Sequence, residues 1–116
     1  MNKRIRELVY QKYGGHCAYC GREIAYKDMQ VDHIQPKFRN NRWQEHGADD
    51  ISNYNPACRR CNFRKGTSTI EQFREDLQHQ AEGIVKRSFQ VRQSIDYGLL
   101  EYHQKKVVFY FEQQAS

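Results

Sequence analysis

The chain has 116 residues, 19 of them basic and 14 acidic, for a net charge of +5. That length allows one compact domain and excludes two independent ones. With 38% hydrophobic residues and a mean hydropathy of −1.02, no stretch is apolar enough to span a membrane, and the buried core must be thin. A sequence pI near 9.1 favours a polyanionic partner, although many basic domains bind no nucleic acid.

The N-terminal segment MNKRIRELVYQ lacks the apolar centre of a signal peptide, so the expected location is the cytoplasm. In that reducing compartment, four cysteines are better explained as metal ligands or free thiols than as disulfides.

In chain order, Ile5, Leu8, Val9 and Lys12 recur at helical spacing, and Gly14-Gly15 ends the pattern. Cys17-Ala18-Tyr19-Cys20-Gly21 reads as a turn carrying two thiols. Residues 29–34 read as a short strand that must end by Pro36, because proline cannot donate to a ladder. Residues 37–55 are polar and loop-like. A second thiol pair follows at Cys58 and Cys61. Ser68 precedes Glu71 by three residues, a capping-box pattern that predicts a helix starting near Thr69. An apolar stripe through Ile70, Phe73, Leu77, Ile84, Phe89 and Ile95 continues it, with Gly83 a candidate kink. Residues 106–111 have strong strand propensity.

Two CxxC turns, Cys17/Cys20 and Cys58/Cys61, can each present two sulfurs to one tetrahedral ion and together close a structural zinc site. Such a clamp returns the chain to its starting point after residues 21–57. It thereby brings Asp32-His33, inside that excursion, near Asn62, which directly follows the last thiol.

Phosphodiester hydrolysis needs a base to activate water and positive charge to stabilise the phosphorane and the leaving oxygen. Imidazole is the side chain whose ordinary titration lies nearest neutral pH, which makes His33 the candidate base. Asp32 and the Asn62 side-chain carbonyl are hard oxygen donors of the kind magnesium or manganese takes, and two protein ligands leave room for water and a phosphate oxygen. Adjacent strand residues point to opposite faces, so Asp32 and His33 can converge only where the strand twists or ends. As bland alternatives, His33 is an ordinary surface or core histidine and Asn62 merely caps the following helix.

Cys-x-x-Cys, then Val31-Asp32-His33-Ile34-x-Pro36, then Ile51-Ser52-Asn53, then Cys58-x-x-Cys61-Asn62-x-x-Lys65 resembles, in order, the HNH endonucleases with the ββα-metal fold. The resemblance runs from about Tyr13 to Phe73. It implies an α+β fold: a small zinc-stapled ββα-metal domain, treble-clef-like, over residues 13–73. A helical and β-strand C-terminal extension, residues 76–116, would pack on it within a single domain. It implies Asp32 and Asn62 as ligands of a catalytic divalent cation, magnesium before manganese, and His33 as general base. Asn53 matches the middle asparagine, which orients the loop. The implied reaction is DNA nicking or cleavage that leaves a 5′-phosphate. The third signature position holds asparagine where the name has histidine, which favours oxygen-liking metals over nickel or zinc.

Arg59, Arg60, Arg64 and Lys65 crowd the second knuckle, and Lys37, Arg39 and Arg42 follow the active-site strand. Of these, Arg59, Arg64, Lys65, Lys37 and Arg39 are the candidate phosphate contacts. Trp43 and the tyrosines could stack on unpaired bases, but core packing is the commoner use of an aromatic ring. Two other readings of the same residues stand: a non-catalytic zinc module that binds DNA or protein, and a ribonuclease using the same site. Residues 76–116 carry no motif, leaving core completion, DNA contact or recruitment of a protein partner open.

Overall fold

The computed structural model describes residues 1–36 and 50–114. Lys37, Arg39, Arg42 and Trp43, all singled out in the sequence, lie outside the described residues.

The chain divides into two compact units, Met1–Ile70 with Val108–Ser116, and Glu71–Val107. The first unit begins with helix α1 (Lys3–Gln11), which the Asn2 side chain caps by accepting from the Ile5 N–H at 2.9 Å. Strand β1 (Gln30–His33) and strand β2 (Tyr54–Ala57) pair antiparallel, with Asp32 opposite Asn55 and His33 opposite Tyr54. Helix α2 (Arg59–Lys65) follows β2 after a single residue, Cys58, which serves as its N-cap. Strand, strand and helix therefore occur in the expected order. The α+β class and the ββα arrangement are both present.

The core is thin, as the composition requires. Val9, Met29 and Tyr54 form its centre, with Ile5, Tyr10, Ile24 and Val31 packed around them. Two hydrogen bonds hold the end of α1. The Lys12 ammonium donates to the Tyr54 carbonyl of β2 at 2.7 Å, and the Tyr10 hydroxyl to the carbonyl of Ile24, in the segment before β1, at 2.7 Å.

The C-terminal strand is not formed. Residues after Val108 instead run along the first knuckle, where Tyr110 N–H donates to Tyr19 O at 3.1 Å and Phe111 N–H to Ala18 O at 2.8 Å. They then coil into the short helix α5 (Tyr110–Gln113). The reason is local: the Glu112 carboxylate takes the Phe109 N–H at 2.8 Å, starting a helical turn. Phe109 itself is buried edge-to-face against the Tyr19 ring. An aromatic run with strand propensity has here been used as an anchor for the knuckle.

In the second unit, helix α3 (Ile70–Arg87) starts one residue after the predicted point and passes through Gly83 without a break. The interruption comes at Ser88, whose hydroxyl accepts from Val91 N–H to cap helix α4 (Phe89–Asp96). Arg74 is buried, gripping Glu71 and donating to the Val107 carbonyl, while Gln78 accepts from the Val107 N–H at 2.9 Å. Among the described residues, no helix is long and apolar enough to cross a membrane.

Candidate active site and zinc centre

The first knuckle is a tight hairpin. Cys17 N–H donates to Arg22 O at 2.8 Å, and Gly21 closes the turn at a φ of 81°, a conformation that favours glycine. Ala18 N–H then donates to Pro56 O at 2.8 Å, docking the knuckle on β2. This brings Cys17 and Cys20 to Cys58 and Cys61, whose sulfurs all lie within 4.8 Å of one another, the Cys20 and Cys58 pair at 3.9 Å. A zinc ion with bonds of about 2.3 Å to four sulfurs needs edges of about 3.8 Å, so the four thiols fit that ion. No described cysteine is in a disulfide. A hydrogen bond from Cys61 and the backbone N–H groups of Cys58, Cys20 and Tyr19 lower the Cys17 thiol, while Cys61 is raised by the same bond. Burial raises Cys20 as well, so Cys17 is the thiol that its surroundings favour as the deprotonated sulfur that metal binding requires.

The second centre lies where β1 ends. Asp32 is buried, and one carboxylate oxygen, Oδ2, accepts a short hydrogen bond from the Tyr19 hydroxyl. The other, Oδ1, faces the Lys65 ammonium at 3.2 Å. The same ammonium donates to the His33 backbone carbonyl at 2.9 Å, so Lys65 ties α2 to both residues of the Asp-His pair. Asn55 Nδ2 approaches the Tyr19 hydroxyl at 3.4 Å. Burial pushes the Asp32 carboxyl above its ordinary value, against the opposing pull of Tyr19 and Lys65. Burial likewise lowers the Lys65 ammonium, with Asp32 holding it up. Tyr19 is raised, first by burial and then by the Asp32 charge. Both members of the pair are displaced toward neutrality, the sign of desolvation outweighing attraction. Such a pair is a weak stabiliser and a frequent mark of a functional site.

His33 is the last residue of β1, half-buried, its ring edge-to-face against Tyr54 at 5.2 Å with its Nε2 enclosed. Beyond it, Asn53 clamps the chain. Its Oδ1 accepts from Gln35 N–H at 2.9 Å, its Nδ2 donates to Gln35 O at 3.0 Å, and its own carbonyl accepts from Ile34 N–H at 2.8 Å. Asp50 caps the turn Ile51–Asn53 that delivers it. Asn62 sits one helical turn before Lys65 and lines a cavity of about 460 Å³ with Gln30, Arg59, Arg60 and Phe63.

The basic candidates separate. Arg59 and Arg64 are exposed on α2, whereas Lys65 is only 1% exposed. The expectation that Lys65 contacts substrate phosphate is therefore corrected: its ammonium is occupied by Asp32 and His33, and its stem is enclosed. Tyr19 and Asn55 escaped the sequence reading. Tyr19 looked like a spacer between two ligands, and nothing in sequence ties it to a carboxylate thirteen positions on.

Residues 17–68 match the family model of the HNH endonucleases. Over that segment the chain is similar to the HNH endonucleases. A SPbeta prophage-derived protein of Bacillus subtilis strain 168, YoqL, provisionally named an HNH endonuclease, is 32% identical over 77 residues. The alignment covers 60% of this chain and 33% of that protein, so the chain spans about a third of its curated relative. The fold is also similar to part of the type II-C Cas9 enzyme from Actinomyces naeslundii, with a TM-score of 0.53 and 23% identity. That match covers 80% of this chain and 10% of the Cas9 chain.

Proposed function

We propose that the protein is a metal-dependent HNH endonuclease that hydrolyses phosphodiester bonds in DNA. The observation that carries this reading is the buried carboxylate at the end of β1. Asp32 sits beside His33, and both are tied through Lys65 to the helix that bears Asn62.

Asp32 and Asn62 would hold a magnesium or manganese ion. The fit is chemical: both offer hard oxygens, and a carboxylate has about four acceptor sites, of which Tyr19 and Lys65 use one each. When bound, the cation would stabilise charge on the phosphate and the leaving oxygen. His33 takes the proton from the attacking water, and its ring is steadied by Tyr54. Asn53 positions rather than reacts, since both ends of its amide are engaged with Gln35. Tyr19 and Lys65 fix the Asp32 carboxylate, so that its orientation is set before any cation arrives. Arg59 and Arg64 are available to neutralise phosphates flanking the cut.

The test is cleavage of supercoiled plasmid by the purified protein with magnesium or manganese. Open-circle or linear product is expected, lost on omitting the divalent cation and in His33→Ala. Wild-type protein that holds zinc and leaves the plasmid intact under all conditions would instead point to a non-catalytic zinc module.

A further inference from the structure

We infer that Phe63 and the cationic surface beside it bind unpaired nucleotides of the DNA strand next to the site of cleavage. This rests on the nuclease reading above and names the form of substrate that reading leaves open.

Phe63 lies on α2 immediately after Asn62 and is 86% exposed, so its ring contributes almost nothing to the core. A single exposed aromatic ring is ordinary in itself. This one, however, helps line the cavity that Asn62, Arg59 and Arg60 also line. Gln30 and Arg59 are shared with a second cavity of about 550 Å³, whose wall includes Arg22 and Lys27. Phe63 thus shares its cavity with Arg60 and Arg59, and Arg59 also lines the second cavity with Arg22 and Lys27, against the acids Glu23 and Asp28.

The charge beside the ring favours a nucleic acid as occupant: Arg59 and Arg60, which line the same cavity as Phe63, carry the positive charge that complements a phosphate backbone. A stacking ring set beside cations spaced along a groove is the arrangement that binds single strands, with bases on the ring and phosphates on the basic side chains. In a duplex the base faces are already stacked, so the ring has a partner only where the strand is open.

The experiment compares a labelled single-stranded DNA oligonucleotide with the duplex of the same sequence. Binding is followed by fluorescence anisotropy with calcium replacing magnesium. Because Phe63 is exposed, Phe63→Ala should keep its fold and zinc content. It is expected to weaken single-strand binding by roughly 5- to 100-fold and duplex binding by no more than about twofold, while Phe63→Trp restores the single-strand affinity. Arg22→Gln with Arg59→Gln should flatten the salt dependence of single-strand binding by about 1.4 in log–log slope, the loss of two phosphate contacts. If Phe63→Ala binds the single strand as tightly as wild type, or loses both substrates equally, the inference is overturned. Plasmid cleavage in parallel separates the two ideas. A cutting enzyme whose Phe63→Ala form keeps full single-strand affinity refutes the stacking surface and leaves the nuclease standing. An inert protein in which Phe63→Ala selectively loses the single strand supports the surface and removes the nuclease.

Discussion

Replacing Lys65 by methionine would remove the charge from a buried ion pair while nearly preserving the volume of the side chain. The side chains of Lys65 and Asp32 are 0% and 3% exposed, so solvent cannot replace the lost ammonium. Breaking such a pair costs about 3–5 kcal/mol. Asp32 keeps its Tyr19 hydrogen bond and can take up a proton, which places the expected loss near the lower end, about 3 kcal/mol. For a domain of this size that is a fall in Tm of roughly 10–20 °C. The double variant Asp32→Asn with Lys65→Met removes both charges and should cost about 2 kcal/mol less than the two single replacements added together, the coupling between the pair. The pH dependence has a definite sign. Burial has raised the Asp32 pKa above its unfolded value, so protonation contributes to folded-state stability at low pH, and that contribution is lost as pH rises through the folded value. Removing Lys65 raises that value further, so Lys65→Met should be most damaged at neutral pH and converge toward wild type as pH falls. Denaturant titration at fixed free zinc, over the range where zinc stays bound, measures this. A Lys65→Met protein within about 1 kcal/mol of wild type at every pH, with no coupling to Asp32, would refute the argument.

Two further outcomes follow from the same geometry. Elemental analysis should find one zinc per chain, and a strong chelator or Cys58→Ser should abolish cooperative unfolding, because Cys58 is both a thiol of the cluster and the N-cap of α2. Asn53→Ala removes two hydrogen bonds to Gln35 and should cost about 1–3 kcal/mol. Its plasmid cleavage should fall while zinc content is kept, and unchanged cleavage would remove Asn53 from the positioning machinery.

The Cys-x-x-Cys pairs were legible in the chain because a tetrahedral ion demands fixed short spacings, and those spacings are written locally. The Asp32-His33 pair at a strand end was legible for a similar reason, since Pro36 stops the ladder and β1 closes at His33. What the sequence by itself determined, then, were the four thiols that come together and the ββα order. Tertiary structure decided which cation meets which carboxylate. Lys65 reads in the sequence as a phosphate contact beside Arg64, and only the packing of α2 on β1 turns it inward onto Asp32. Tyr19 likewise reaches Asp32 only because the knuckle docks on β2 through Ala18 and Pro56. The C-terminal aromatics carry strand propensity, yet they form no strand. Burial of Phe109 against Tyr19 and the Glu112 cap outweigh an intrinsic preference worth at most about 1 kcal/mol. Local chemistry is fixed by spacing along the chain, whereas long-range electrostatics depends on which faces the fold brings together, and no local pattern encodes that.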